Sequence, residues 1–555
     1  MAELNFKGKA FVQNHHFTVP VHEFVADAKK SKLKKGEKPR LDDNLIIHGD
    51  NLKALKALLP IYAGRIKCIY IDPPYNTGKE HWVYNDNVNS PMMRAWLGKE
   101  VGMDDLSRHD KWLCMMMPRL KLLQELLRED GVIFVSINDV EVSNLKLLMD
   151  EIFSDGFITC LVRQTIKGGT GPSDSIRVTH DYILAYAKDK DQVDISGLTA
   201  EAIELDQEDE KGKYARGREL NKWGAGSRRE DSPSMWFPIP GPGGKKVFPI
   251  RNDGSEGRWR WGKRRMLGAV AAGDVIFEKR KDGTYIVYEK VRDNGGRTKS
   301  YQSLLLDRYT SAIGTEELKT IFDGKSLFDY PKPTSLMDVL FRISNVSDSD
   351  IVLDSFAGSG STAHAALSYS RSEDMNAKFI LVQIPEVIRN DKPAYKYGFR
   401  KVIELTAERV KRVIDGVSAT KDEELKKGLG GSFSYFELGD AIDKETLLKG
   451  KKLPSYEAMA AYVFHTATNA GFDAKKMIQK KGFIGSTDDL EVYLIYKPDA
   501  EFLKEAALDA DFLKSLGKPG KKVRLVFAPV KYIDNDALEN HKVEFAQLPQ
   551  EIYRR

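Results

Sequence analysis

The chain has 555 residues, 41% of them hydrophobic and 30% charged, and its 86 basic and 81 acidic side chains leave a net charge of +5. This length exceeds one ordinary domain, and so near a balance of charge neither requires nor forbids a polyanionic partner. Cys68, Cys114 and Cys160 form no CxxC pair, which excludes a disulfide framework or a zinc knuckle and fits a reducing cytoplasm. No apolar run reaches the roughly 18 residues of a membrane helix, and "MAELNFKGKAFVQNHH" holds no apolar signal core, so no membrane partner is expected.

Residues 1–40 close on "KKSKLKKGEKPR", which reads as an exposed basic arm, a solvated run before it is a DNA-phosphate contact. An α/β pattern follows over 41–190. "NLIIHGDNLKALKALL" is an apolar run, a turn and a helix; "IKCIYIDPPY" is a buried-type strand closed by prolines. "DKWLCMMMPRLKLLQELLRED" spaces Leu113, Met117, Leu120, Leu123 and Leu127 as a helix does, with Pro118 kinking it or near its start. "GVIFVSIND" is a further strand and "VEVSNLKLLMDEIF" a further helix. Such alternation predicts a mostly parallel sheet with helices on both faces. "FITCLVRQTI" and "HDYILAYAK" suit an antiparallel pair at its edge.

From 191 to 325 the rhythm gives way to mixed charge and Pro/Gly-rich turns, as in "DSPSMWFPIPGPGGKKVFPI". It resumes over 326–416, and "KKGLGG" marks the junction to a C-terminal α/β domain, 417–555. The expected fold class is thus α/β, one sheet domain interrupted by an insertion and followed by an appended domain.

"IVLDSFAGSGSTAHAAL" is a strand, a glycine turn and a helix start, with Gly358, Gly360 and Ala363 at the G-x-G-x-x-G/A spacing. Glycines let a ligand approach the backbone without meeting a Cβ, which serves a dinucleotide and a phosphate-free cofactor equally. Two features favour S-adenosylmethionine over a nicotinamide cofactor. Gln383 closes the next strand, where an acid would clasp a ribose, and Asp50 follows an apolar run where it could accept from an adenine amine. His15 and His16 have no third ligand at metal spacing, so no metal is expected.

Together, "DPPYNTG" and "DSFAGSGST" resemble the amino-methyltransferases of DNA, in the β-class order. "LIIHGDNLKALKALL", "CIYIDPPYNTG", "DKWLCMMMPRLKLL", "DGVIFVSIND" and "FDYPKPTSL" resemble, more narrowly, the modification subunits of type III restriction-modification systems. The resemblance implies a Rossmann-like S-adenosylmethionine-dependent methyltransferase fold and transfer of a methyl group to adenine N6 in double-stranded DNA. It places Asp354, Phe356, Ala357, Gly358, Ser359, Gly360 and Gln383 at the cofactor, with Asp50 and Asn51 at its adenine. Lys332 to Ser335 would approach its methionine end. Gln383 departs from the usual acid, which bears on affinity more than on identity.

In that setting Asp72, Pro73, Pro74 and Tyr75 are the expected catalytic residues. An exocyclic amine is a poor nucleophile because its lone pair is delocalised into the ring. The Asp72 carboxylate and the Pro73 carbonyl, preset by two rigid residues, would accept its two N–H bonds and favour a pyramidal nitrogen. Tyr75 would stack on a base rotated out of the duplex. The aspartate matches the adenine pattern; a cytosine-N4 enzyme and a non-catalytic specificity subunit remain the alternatives. The loop after Tyr75, "NTGKEHWVYNDNVNSP", is expected to fold over that base.

The insertion is the expected target-recognition domain. In "RWRWGKRR", Arg258, Arg260, Lys263, Arg264 and Arg265 are candidate DNA contacts, whereas Trp259 and Trp261 suit a small β core better than a DNA face. No G-x-x-x-x-G-K-S/T loop encodes an ATPase. The resemblance implies a homodimer and a separate helicase-nuclease restriction subunit.

Overall fold

A computed structural model describes residues 4–77, 108–168, 176–195, 198–199, 205–224, 226–292, 298–442 and 453–548. It divides into two compact units, Met1–Ser196 with Gln302–Arg555, and Gly197–Tyr301.

The larger unit is built on a ten-stranded sheet. Its strands are β1 (His22–Ala26), β2 (Leu45–His48), β3 (Ile66–Ile71), β4 (Leu127–Ile137), β5 (Phe157–Gln164), β6 (His180–Ala187), β7 (Leu304–Leu305), β8 (Ile351–Asp354), β9 (Lys378–Gln383) and β10 (Ser434–Ala441). Across the sheet they run β1-β10-β2-β9-β8-β3-β4-β6-β5-β7. From β10 to β4 every pairing is parallel. β6 pairs antiparallel with both β4 and β5, the edge arrangement expected, and the two-residue β7 adds parallel outside β5.

All six residues of β3 are buried, as a parallel strand covered on both faces requires. Alternate side chains divide between the faces. Ile69 and Ile71 pack into one core with Leu55 and Leu58 of α1 (Asn51–Tyr62), Leu120 and Leu123 of α2 (Arg108–Leu126) and Leu148 of α3 (Val142–Phe153). Cys68 faces the other way, within reach of Ser344, which caps α5 (Thr334–Ile343). Pro118 lies inside α2 without ending it.

β2 and β3 follow one another in the chain but are parted in the sheet by β9 and β8, strands from far downstream. That order brings the end of β3, where "DPPY" begins, beside the end of β8, where the glycine turn begins: Val352 pairs with Cys68 and Leu353 with Ile69.

Three expected boundaries shift. Residues 4–26 are not a free arm: Leu4, Phe6, Val12 and Val19 are buried in the main core, and β1 pairs antiparallel with β10, while the basic run that follows is largely exposed. Lys30 and Lys32 of that run form ion pairs with Glu437 (2.7 Å) and Asp415 (2.6 Å). The insertion is shorter than 191–325, because β7 and α4 (Ser311–Ile321) belong to the larger unit. The stretch after 417 is not wholly an appendage either, since β10 lies inside the main sheet between β1 and β2. Beyond it, Phe483–Ser486, Leu490–Leu494, Val523–Ala528 and Val543–Gln547 form a separate four-stranded sheet. Composition misses these joins because strand partners here are remote in sequence.

The smaller unit holds a four-stranded antiparallel sheet of Val275–Lys279, Tyr285–Val291, Gly212–Glu219 and Gln207–Asp209. Trp259 and Trp261 are buried in its core with Phe237, Val287 and Met266, and the Trp259 indole donates to the Phe237 carbonyl at 2.8 Å. No helix among the described residues is long and apolar enough to cross a membrane.

Candidate functional site

The carboxyl ends of β3 and β8 open into a cleft of about 250 Å³. Asp72, Pro73, Pro74, Lys332, Asp354, Phe356, Ala357, Gly358, Ser359 and Gln383 all line it, with Tyr330 and Glu386. Two motifs from distant parts of the chain therefore meet, where ligands of open α/β sheets bind.

The glycine turn is held from outside and from beneath. Gly358 and Gly360 have φ of 49° and 79°, which favours glycine, and a Cβ on Gly358 would come within 3.3 Å of the Phe328 ring. Gln383 accepts a hydrogen bond from the Gly358 N–H at 2.7 Å, so its oxygen holds the turn. On α7 (Val402–Asp415), the Thr406 hydroxyl donates to the Gly358 carbonyl at 2.6 Å. The fully buried Arg409 donates to the hydroxyls of Ser359 (3.0 Å) and Ser361 (2.8 Å), and burial brings its guanidinium down to about 10. Asp354 accepts from the Phe356 N–H at 2.9 Å and the Thr362 hydroxyl at 2.5 Å. Burial lifts its carboxyl to about 7, and the nearby Asp72 charge adds to the rise.

Asp72 follows directly from β3. One carboxylate oxygen, Oδ2, lies 2.5 Å from the Lys332 ammonium; the other, Oδ1, is buried and has no hydrogen-bond partner among the described residues. The Tyr75 hydroxyl donates to Asp181 at 3.2 Å and receives a hydrogen bond from Lys332, also at 3.2 Å. Asp181 is in turn gripped by Arg163 through two hydrogen bonds of 2.8 and 2.5 Å, both residues fully buried. Burial, then the Asp72 charge, pushes the Tyr75 phenol well above its ordinary range, so it remains a neutral donor. The buried Trp112 indole donates to the Pro74 carbonyl at 2.7 Å, which fixes the tetrad from below and leaves its preset geometry intact.

Lys332 is placed by its own neighbours. Glu317 of α4 accepts from the Thr334 N–H (2.9 Å) and hydroxyl (2.8 Å). Gly314, on the same helix, allows closer approach: a Cβ there would stand 2.2 Å from the Pro331 carbonyl oxygen. Gly314→Ala is expected to push Pro331–Pro333 outward, to cost about 1–3 kcal/mol as overpacking does, and to lower activity more than stability predicts. Thermal denaturation beside a turnover assay checks this.

Other expected site residues are not brought into the cleft lining. Asp50 caps α1, accepting from the Lys53 N–H at 3.1 Å. Asn51 is buried behind the turn, where it donates to the Ser355 carbonyl (3.0 Å) and accepts from Arg119 (2.7 Å). Ser335 donates to the Arg308 carbonyl at 2.6 Å, and Gly360 precedes α6 (Ser361–Ser372) as its cap. In the smaller unit Arg260 is tied to the Glu219 carbonyl at 2.8 Å and Arg258 is half-buried, whereas Lys263, Arg264 and Arg265 are exposed at the start of the helix Lys263–Ala271. The loop expected to fold over a base lies, from residue 78, outside the described residues.

Arg409, Arg119, Glu317 and Trp112 are the supports that sequence reasoning passed over. A signal existed for the first two. Arg409 falls between Leu405 and Val413, and Arg119 between Met115 and Leu123, so each cation occupies the apolar stripe of its helix.

With this geometry established, the sequence comparisons decide the family. The model of the family described as DNA methylase matches residues 66–391. The chain belongs to the DNA methylase family. The methylase is 34% identical over 462 residues to the EcoPI Mod subunit of a type III restriction-modification enzyme from Escherichia phage P1, covering 77% of this chain and 70% of the relative. It is 33% identical over 392 residues to the type II methyltransferase M.KpnI of Klebsiella pneumoniae, covering 68% and 89%. To the StyLTI Mod subunit of Salmonella typhimurium it is 30% identical over 439 residues, covering 75% and 63%. The methylase's matched segment contains both the Asp72 tetrad and the glycine turn.

Proposed function

We propose that this methylase transfers a methyl group from S-adenosylmethionine to the N6 amine of an adenine rotated out of double-stranded DNA. We further propose that it is the modification subunit of a type III restriction-modification system. The observation that carries the reading is the shared cleft: an aspartate whose buried oxygen has no partner among the described residues lines the same cavity as a glycine turn.

The donor set fits such a cofactor. Gly358, which brings bare backbone to the cleft, suits an adenosyl group, and the acidic side chains of the lining suit a cationic sulfur. When bound, the cofactor supplies an electrophilic methyl group. The chain's own residues do the rest. Asp72 and the Pro73 carbonyl accept the two N–H bonds of the amine and stabilise the positive charge that grows on nitrogen. Tyr75 offers its ring as a stacking face, and its tether to Asp181 holds that ring still. Stacking of this kind contributes about 1–3 kcal/mol, comparable with the cost of extruding the base. Asp50, Asn51 and Ser335 would then act on the cofactor through the loops they hold.

The smaller unit is proposed to read the target sequence. Lys263, Arg264 and Arg265, exposed on one helix start, would meet the DNA backbone, while Arg258 and Arg260 serve that unit's own structure. Replacing Lys263, Arg264 or Arg265 by alanine is expected to weaken binding alike on all sequences and to reduce the log–log salt slope by about one for each phosphate no longer neutralised. Fluorescence anisotropy across a salt series measures both.

Two of the relatives are named as Mod subunits of type III restriction-modification enzymes, which supports a partner subunit for this chain; a homodimer working with a helicase-nuclease is the assembly proposed. Expression in an unmethylated host followed by methylome sequencing tests the whole proposal. N6-methyladenine at one recurring sequence is expected; N4-methylcytosine, or DNA binding with no methylation, would overturn it.

A further inference from the structure

The cleft contains an ion pair on the very carboxylate that the proposed reaction needs. Lys332 contacts Asp72 at 2.5 Å and the Tyr75 hydroxyl at 3.2 Å, and its ammonium lies 5.3 Å from the Tyr75 ring centroid. The cation therefore sits against the carboxylate and beside the hydroxyl edge of the ring. A target amine needs the same carboxylate. Lys332 already holds Oδ2, so the amine must share that oxygen, displace the ammonium or reach the buried Oδ1. The lysine side chain is 11% exposed, so this is an enclosed contact and not a solvated surface pair.

Charge around the cleft sharpens the conflict. Its lining carries three carboxyl groups, Asp72, Asp354 and Glu386, and among those residues Lys332 is the cation. A sulfonium cofactor brings a second positive charge to this small volume, and methyl transfer moves that charge from sulfur to the amine as the C–S bond breaks. Like charges repel strongly in such an environment. The thioether left after transfer is neutral at sulfur.

We propose that Lys332 is a resident counter-ion for Asp72: it occupies the amine site of the ligand-free enzyme and yields Asp72 when a sulfonium enters. Lys332 is on this account a positioning residue that sets the preference between methyl donor and spent product, and it makes cofactor entry the event that frees the carboxylate for a base. The inference rests on the cofactor reading above. It departs from a role in gripping the amino-acid carboxylate of the cofactor, which donor and product share.

Calorimetric titration of the full chain, without DNA, with S-adenosylmethionine and separately with S-adenosylhomocysteine tests it. In Lys332→Met, Asp72 loses its internal cation, and the ratio of sulfonium to thioether affinity is expected to rise by roughly tenfold. Lys332→Arg should leave the ratio near native. Asp72→Asn, close in shape, should move it the opposite way. An unchanged ratio in both Lys332→Met and Asp72→Asn overturns the counter-ion role. Equal weakening of both ligands by Lys332→Met also overturns it, in favour of a grip on their common carboxylate. Binding of neither ligand by the native chain would remove the cofactor reading and this proposal together.

Discussion

Asp72→Ala is expected to lower methyl transfer by roughly three orders of magnitude, the scale seen when one preorganised electrostatic partner of a transition state is removed. The reason lies in where the charge appears. Nitrogen becomes positive as it attacks, and the nearest fixed anion is the carboxylate at the end of β3, already shielded from water on Oδ1. The loss should fall on kcat more than on KM, because the acceptor matters most once the nitrogen has pyramidalised. Binding of S-adenosylhomocysteine should change only a few-fold, since the glycine turn is held by Gln383, Thr406 and Arg409 and not by Asp72. Single-turnover methylation with tritiated cofactor, beside calorimetry of the product complex, measures both. Native turnover by the mutant would remove Asp72 from the chemistry.

Arg163→Ala should have the largest effect on stability, a loss of about 3–5 kcal/mol, because it strands the buried Asp181 carboxylate without its cationic partner. Arg163 and Asp181 are 2% and 3% exposed, and water cannot compensate there. The double replacement Arg163→Met with Asp181→Leu should recover most of that stability, as apolar pairs of similar volume often do. Activity should not recover with it. The Tyr75 hydroxyl would lose its Asp181 acceptor and the ring its tether, leaving Lys332 as its remaining neighbour. Denaturant melts and turnover, measured on the single and double variants, separate the two effects. Recovery of both together would show that the pair serves folding alone.

Much of the site was legible before any coordinates. "IDPPY" and "DSFAGSGST" each end an apolar run with residues whose backbone is restricted or freed for a reason, and such reasons are local. The alternation of strands and helices then required both turns to emerge at the carboxyl edge of one parallel sheet. The two indoles of "RWRWGKRR" were likewise readable as core from their spacing. The capping role of Asp50 was not: one of its carboxylate oxygens accepts from the Lys53 N–H at the start of α1, where free N–H groups await a cap. The basic run is solvent-facing as its composition suggests, with Lys30 exposed even in its ion pair with Glu437; what composition did not show is that the residues before it pack into the core.

Sequence alone determined the chemistry this chain carries, the parallel sheet that displays it and the two motifs that must meet, because dihedral restriction and hydrophobic period act over a few residues. Tertiary structure decided the partner of every buried charge: Lys332 on Asp72, 260 residues apart, Arg409 beneath Ser359, and Arg163 against Asp181 behind Tyr75. Those pairings depend on which strands become neighbours. A charge withdrawn from water must be satisfied by whatever the completed sheet brings within hydrogen-bond reach.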